Sequence, residues 1–465
     1  MLGEYRITGS RAAEISASIE RGVGEGALRP GQPLPPLREL AERLGVNPNT
    51  VAAAYRTLRE RGVIETAGRR GSRVRAKPAT TVRDLIRVEV PEGVRDLSEG
   101  NPDPALLPPL AGVLAAAAAQ GDRDPVLYGG DPVAPELARP ARAGLDADGV
   151  PDGPLAVTSG ALDGIERVLA AHLRPGDAVA VEDPGWGSLL DLVPALGLRT
   201  RPVGVDDEGP LPDDVRRALA SGARALVVTR RAQNPTGAAV SAARARALRS
   251  VLADHPGTVL IEDDHGHHIV DLPPHPLAGA TPTWAFVRSA AKAYGPDLRL
   301  AVLTGDPVTL DRVRGRQRLG PGWVPLLLQR AVARLWTGGA VDPDAVAAAY
   351  GRRRDALIGA LARRGIEAHG RSGMNVWVPV PDETGAVARL LHAGWAVAPG
   401  ARFRSDAPPG IRITVSTLTA DEAEPVAQAV ATALEPPAGA ARSFGYRLRA
   451  PGPARVPSGA GGRAR

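Results

Sequence analysis

The chain has 465 residues, 43% of them hydrophobic but only 3% aromatic, with a formal charge of +6 and no cysteine. That length holds two to four structural units at the usual ~50–250 residues per domain, and the missing cysteine excludes disulfides and thiolate metal sites. No run approaches the ~18 apolar residues of a membrane span, and the start MLGEYRITGSRAAE has no signal-peptide core; both point to a cytoplasmic protein with no membrane partner.

Residues 1–78 carry 14 Lys+Arg against 8 Asp+Glu, and the tail 438–465 carries six arginines and no acids, which leaves the stretch between them at −6. A basic head on an acidic body points to a polyanion partner for the head. Residues 11–26 have the periodicity of a first helix. Pro35-Pro36 then stops the chain, and Leu37, Leu40, Ala41 and Leu44 share one face of a short second helix. Gly45-Val46 turns. Asn47 is placed to cap and Pro48 to open a third helix to about Arg61, which buries Val51, Ala54, Tyr55 and Leu58. Gly62–Glu65 and Ser72–Val74 read as two strands, with Gly68-Arg69-Arg70-Gly71 as a basic tip between them.

Short helix, turn, longer helix and basic hairpin is a DNA-reading order. Asn47, Asn49 and Thr50 stand at the end that would enter the major groove, while Arg38, Arg56, Arg69, Arg70 and Arg73 are candidates to neutralise phosphates. Tyr55 reads as core. The stretch 8–76 resembles the DNA-binding domain of the GntR family through LPPLRELA (34–41), VNPNTV (46–51), AYRTL (54–58) and GVI (62–64). Pro36 stands where that family usually has serine, which removes a hydroxyl that could meet a phosphate.

A connector holding Pro78 and Pro91 runs to about Arg95. Strand candidates then alternate with alanine-rich helices: Leu155–Val157, Ala178–Val181, Ala225–Val228, Val259–Ile261, Trp284–Val287 and Leu300–Leu303, with helices near 161–173, 211–220 and 240–253. This βα rhythm gives a largely parallel sheet covered on both faces, which binds ligands at the carboxyl ends of its strands. The polar motifs fall at those ends. Ser159-Gly160-Ala161 opens a helix and suits a phosphate. Trp186 could lie on a heteroaromatic ring, Asn234 could bond a ring hydroxyl, and Asp263 could hold a protonated pyridine nitrogen. Of the 57 basic residues only Lys77 and Lys292 are lysine. Lys292 follows the run ending at Val287, and lysine, unlike arginine, can form a Schiff base with an aldehyde. Ser289 and Arg299 could complete a phosphate grip. His265, His267 and His268 with Asp263 make a weak metal pattern. It is set aside, since Asp263 is better used by a cofactor and no separate metal motif is present.

The order of these motifs over 97–436 resembles the fold-type-I aminotransferases. The resemblance implies pyridoxal phosphate on Lys292, Asp263 on the ring nitrogen, Asn234 at the ring oxygen and Trp186 on the ring. Ser159, Gly160, Ala161, Ser289 and Arg299 would serve the phosphate. Tyr128 would reach the neighbouring subunit's phosphate, and Arg412 would clamp a substrate or effector carboxylate. His265 departs from the tyrosine usual there in related regulators; it can still hydrogen-bond near the ring hydroxyl and can titrate.

A GntR-like head on an aminotransferase-like body is similar to the MocR subfamily. The expected architecture is α/β: a winged helix-turn-helix (1–78), a linker (79–95), aminotransferase-like large (96–342) and small (343–437) domains, and a disordered basic tail (438–465). The resemblance implies a homodimeric regulator that binds double-stranded DNA and senses pyridoxal phosphate or a small amino compound. The alternatives are a working transaminase, and a head that binds DNA constitutively beside a structural cofactor.

Overall fold

The computed structural model describes residues 5–24, 27–29, 31–60, 63–66, 71–74, 83 and 86–435. The expected basic tip with Arg69 and Arg70, and the tail, lie outside the described residues.

The head is built from α1 (Ala12–Gly24), α2 (Leu37–Leu44), α3 (Pro48–Glu60) and the antiparallel strands β1 (Ile64–Thr66) and β2 (Ser72–Val74). Gly45, in the left-handed region at φ 65°, closes α2. Asn47 caps α3, its Oδ1 accepting from the Asn49 N–H at 2.8 Å, and Pro48 takes the first helical position, which needs no N–H. Val51, Ala54, Tyr55 and Leu58 are buried among Ile15, Ile19, Leu40 and Ile64. Tyr55 donates to the Pro35 carbonyl at 2.8 Å, so it belongs to the core.

The body centres on seven strands: β3 (Leu155–Thr158), β4 (Ala178–Glu182), β5 (Arg199–Val203), β6 (Ala223–Thr229), β7 (Val259–Asp264), β8 (Thr283–Ser289) and β9 (Ala301–Gly305). Their order is β3-β9-β8-β7-β6-β4-β5. Only β9 runs against its neighbours. Period-two alternation splits the core: Leu226, Val228, Leu260 and Phe286 pack on one face. Ala225, Val227, Ile261 and Val287 pack on the other, with Ile165 and Leu169 of the helix Ala161–His172. Strand β5 has no counterpart in the sequence reading. Its RTRPV pattern lacks an apolar run, because it sits at the sheet edge and pairs on one side only.

A second layer has three antiparallel strands, β10 (Asn375–Pro379), β11 (Ala398–Pro399) and β12 (Gly410–Thr414), with β12 central. Ile411 and Ile413 face a core shared with Leu357, Leu361 and Val426. Alternation therefore turns Arg412 to the opposite face. Leu97 joins the same core, which carries residues 98–103 across toward the sheet. Among the described residues no helix is long and apolar enough to cross a membrane.

Candidate functional site

The carboxyl ends of β3, β4, β6, β7 and β8 open on a cavity of about 270 Å³. Of the residues singled out in the sequence, Gly160, Ala161, Trp186, Asn234, His265, Ser289, Lys292 and Arg299 line it. Gly100, Ala232, Met374 and Asn375 also line it and carried no sequence signal as ligands. Ala232 adjoins the segment of Asn234, whereas the other three come from distant segments whose approach depends on the tertiary fold.

Lys292 stands on a four-residue helix (Ala291–Tyr294) directly after β8. Its Nζ donates to the Gly100 carbonyl at 2.5 Å. Burial first, and the Arg412 guanidinium second, push its pKa down to about 8, against the attraction of Asp263. About a tenth of the amine is therefore neutral, and so nucleophilic, at pH 7, and about half at pH 8.

Two adjacent aspartates end β7, and the pleat sends them to opposite faces. Asp264 is opposite Arg288 in the parallel register. It accepts from Arg288 Nε at 3.0 Å and from Arg231 Nε at 2.7 Å. Burial presses the Asp264 pKa upward, yet these guanidiniums hold it well below the carboxylate range. Asp263, 2% exposed, stands behind His265, which lines the cavity. Its Oδ2 meets His265 Nδ1 at 2.6 Å, while Oδ1 is buried without a hydrogen-bond partner among the described residues. A buried carboxylate oxygen left open in this way costs free energy unless a donor meets it. A pyridine N–H is such a donor.

Arg412, 2% exposed, donates to Asn234 Oδ1 at 3.0 Å and to the Ser98 carbonyl, and its guanidinium lies 4.6 Å from the Phe403 ring centre. At the opposite end, Gly160 opens the helix after β3 with φ +92°, and a Cβ there would lie 2.9 Å from Arg299 Nη2. Arg299 is exposed and donates to the Ser159 carbonyl at 3.3 Å. The Ser159 and Gly160 N–H groups are taken up inside the loop, by Asp163 Oδ2 and the Thr158 carbonyl, each at 2.8 Å. Ser289 Oγ accepts from the Ala291 N–H at 3.2 Å, which leaves its hydroxyl proton directed elsewhere. Tyr128 is 93% exposed and stands edge-on to Trp323 at 5.8 Å, outside this cavity.

The weak histidine pattern divides. His265 turns to Asp263, whereas His267 stacks on His268 at 3.6 Å. His267 groups instead with Asp148 and Asp264, whose carboxylates are already bound by Arg231 and Arg288.

In the head, Arg38, Asn47, Asn49, Arg56 and Arg73 are exposed and Thr50 is half-buried. Arg73 pairs across the hairpin with Glu65 at 2.6 Å.

Residues 96–430 match the model of the aminotransferase class I and II family, and residues 11–74 that of the bacterial regulatory proteins of the gntR family. The chain is 42% identical over 438 residues to the vitamin B6 salvage pathway transcriptional repressor PtsJ of Salmonella typhimurium, covering 92% of this chain and 99% of that protein. It is 32% identical over 280 residues to the pyridoxine biosynthesis regulator PdxR of Corynebacterium glutamicum, covering 58% and 60%. Aspartate aminotransferase from Thermus thermophilus, solved with maleate, superposes with a TM-score of 0.64 at 26% identity, covering 73% of this chain and 92% of that one.

Proposed function

The chain belongs to the MocR subfamily, a GntR-family head fused to an aminotransferase-like body, and from that premise we propose that its body holds pyridoxal phosphate and reports that occupancy to DNA bound by its head. It is a transcriptional regulator with an aminotransferase-like sensor domain. The observation that carries the cofactor reading is the open, buried Oδ1 of Asp263, whose Oδ2 meets His265 on the wall of the cavity that Lys292 also lines.

Bound there, pyridoxal phosphate supplies an aldehyde that condenses with amines and a ring that withdraws electrons. Lys292 offers the amine, a good part of it neutral near pH 8. Asp263 Oδ1 would accept from the ring nitrogen, and Trp186 would cover the ring. Arg299, the Ser289 hydroxyl and the start of the helix at Ala161 would hold the phosphate. With their N–H groups bonded inside the loop, Ser159 and Gly160 would shape the phosphate end, and the Ser159 hydroxyl would add to the grip. Arg412, fixed by Asn234 and Ser98, would hold a carboxylate, which suits an amino acid as a second effector. Tyr128, exposed beside Leu127, supports a homodimer in which this segment faces the partner subunit.

The head's first turn of α3, with Asn47, Asn49 and Thr50, would read base edges, and Arg38 and Arg56 would meet phosphates. Likeness over nearly the whole chain to a vitamin B6 salvage repressor supports repression of vitamin B6 supply genes, with pyridoxal phosphate as the signal. The test is footprinting of DNA flanking its own gene, with and without pyridoxal phosphate. Protection whose extent or affinity changes with the cofactor is the expected result; no protection in either condition defeats the reading.

A further inference from the structure

His265 occupies the position from which a side chain would be expected to reach a cofactor's ring hydroxyl, yet both of its nitrogens are spent elsewhere. Nδ1 lies 2.6 Å from Asp263 Oδ2 and Nε2 lies 2.8 Å from the Ala232 carbonyl. A backbone carbonyl only accepts, so Nε2 carries a hydrogen. The Nδ1···Oδ2 contact then needs a second proton between the two atoms. The ring is tied at both ends, by its own strand end β7 and by the loop after β6, and no N–H remains to point into the cavity.

Asn234 is placed differently. Arg412 can only donate, so the Asn234 oxygen faces it at 3.0 Å, and the Asn234 amide N–H groups are turned away from that contact. Asn234 also lines the cavity.

We propose that His265 is a positioning residue for Asp263, fixing the carboxylate so that Oδ1 meets the ring nitrogen; the ring hydroxyl then stays with Asn234, where the aminotransferase resemblance already puts it. The inference rests on the reading that the cavity takes pyridoxal phosphate. The charged groups around His265 agree with it: burial presses its pKa down and Lys292 on the neighbouring short helix does the same, but Asp263 outweighs them and holds it above the ordinary histidine value. A shared proton between His265 and Asp263 follows.

The experiment loads full-length protein with pyridoxal phosphate carrying nitrogen-15 in its ring and compares wild type with His265→Leu and His265→Asn. The ring-nitrogen resonance reports the Asp263 contact, and the pH midpoint of the visible band reports the hydroxyl side. His265→Leu, which leaves Oδ2 without its donor, should move the resonance and weaken cofactor affinity about tenfold, as for one charge-assisted hydrogen bond. Asparagine places an N–H where Nδ1 stood, so His265→Asn should restore most of both. A resonance unmoved in His265→Leu, with the band midpoint shifted alike in both variants, would instead place His265 on the hydroxyl and overturn the proposal. If wild type takes up no cofactor, the cofactor reading fails separately. The pair is then tested in the cofactor-free protein by titrating His265: a value that does not fall in Asp263→Asn overturns the positioning role too.

Discussion

At the scale of single residues, function rests on charges taken out of water and given unequal partners. Lys292 loses hydration and sits near Arg412, so its proton is released at about 8 rather than 10.5. Condensation with an aldehyde needs the neutral amine. The rate at which the visible band appears after mixing with pyridoxal phosphate should therefore rise with pH and level off above about pH 8. A rate still climbing steeply toward pH 10 would mean that the amine is unperturbed. Lys292→Ala should show no band that borohydride collapses, and peptide mapping of reduced wild type should place the pyridoxyl group on Lys292.

On the other face of the sheet the balance is structural. Asp264 is completely buried and shared by Arg231 and Arg288, and Arg288 also donates to Asp148. Arg288→Met removes one partner and leaves a carboxylate without half of its compensation, a change that costs about 3–5 kcal/mol in buried pairs. Urea unfolding at pH 7 checks it, and a loss below about 1 kcal/mol would show that Arg231 alone suffices.

At the scale of elements, most of the residues around the cavity are where they are because a strand ends there. The strands β4, β7 and β8 run further than their apolar runs, through Glu182, Asp263-Asp264 and Arg288-Ser289. Hydrogen bonding in the ladder is indifferent to side-chain polarity, so the backbone continues after the apolar pattern stops. Hence the sequence located these strands but ended them early. The helix α3 shows the reverse case: its start was legible because a cap and a proline make a local signal. Asn47→Ala removes the bond to the Asn49 N–H and should cost the head about 1 kcal/mol. Arg56→Ala should weaken operator binding across sequences and lower the salt-dependence slope by about 1, while Asn49→Ala relaxes preference at one base position. Binding measured over a salt series separates these outcomes.

At the scale of the whole molecule the question is whether occupancy of the body changes the behaviour of the head. A ligand shifts such an equilibrium only by its differential affinity for the two states. If the body is a sensor, pyridoxal phosphate should change operator affinity or the protected pattern in wild type and lose that effect in Lys292→Ala. Equal responses in the two proteins would leave a constitutive head beside a structural cofactor. A working transaminase is separated by its second half: repeated conversion of an amino acid with a keto acid as acceptor, against a single slow exchange.

By itself the sequence determined the two-part plan, the helices and strands of the head, six of the seven main strands, and Lys292, Asn234, Trp186, Gly160, Ala161, Ser289 and Arg299, which the structure brings around one cavity. These are legible because apolar periodicity, caps and short motifs are local. Only the tertiary structure decided that Asp263 meets His265 while Asp264 faces Arg288, that Gly100 receives the Lys292 amine, and that Met374 and Asn375 close the wall. Strand register and pleat set which face a residue meets, and cross-chain approach sets its partner; neither is encoded in the spacing of neighbouring letters.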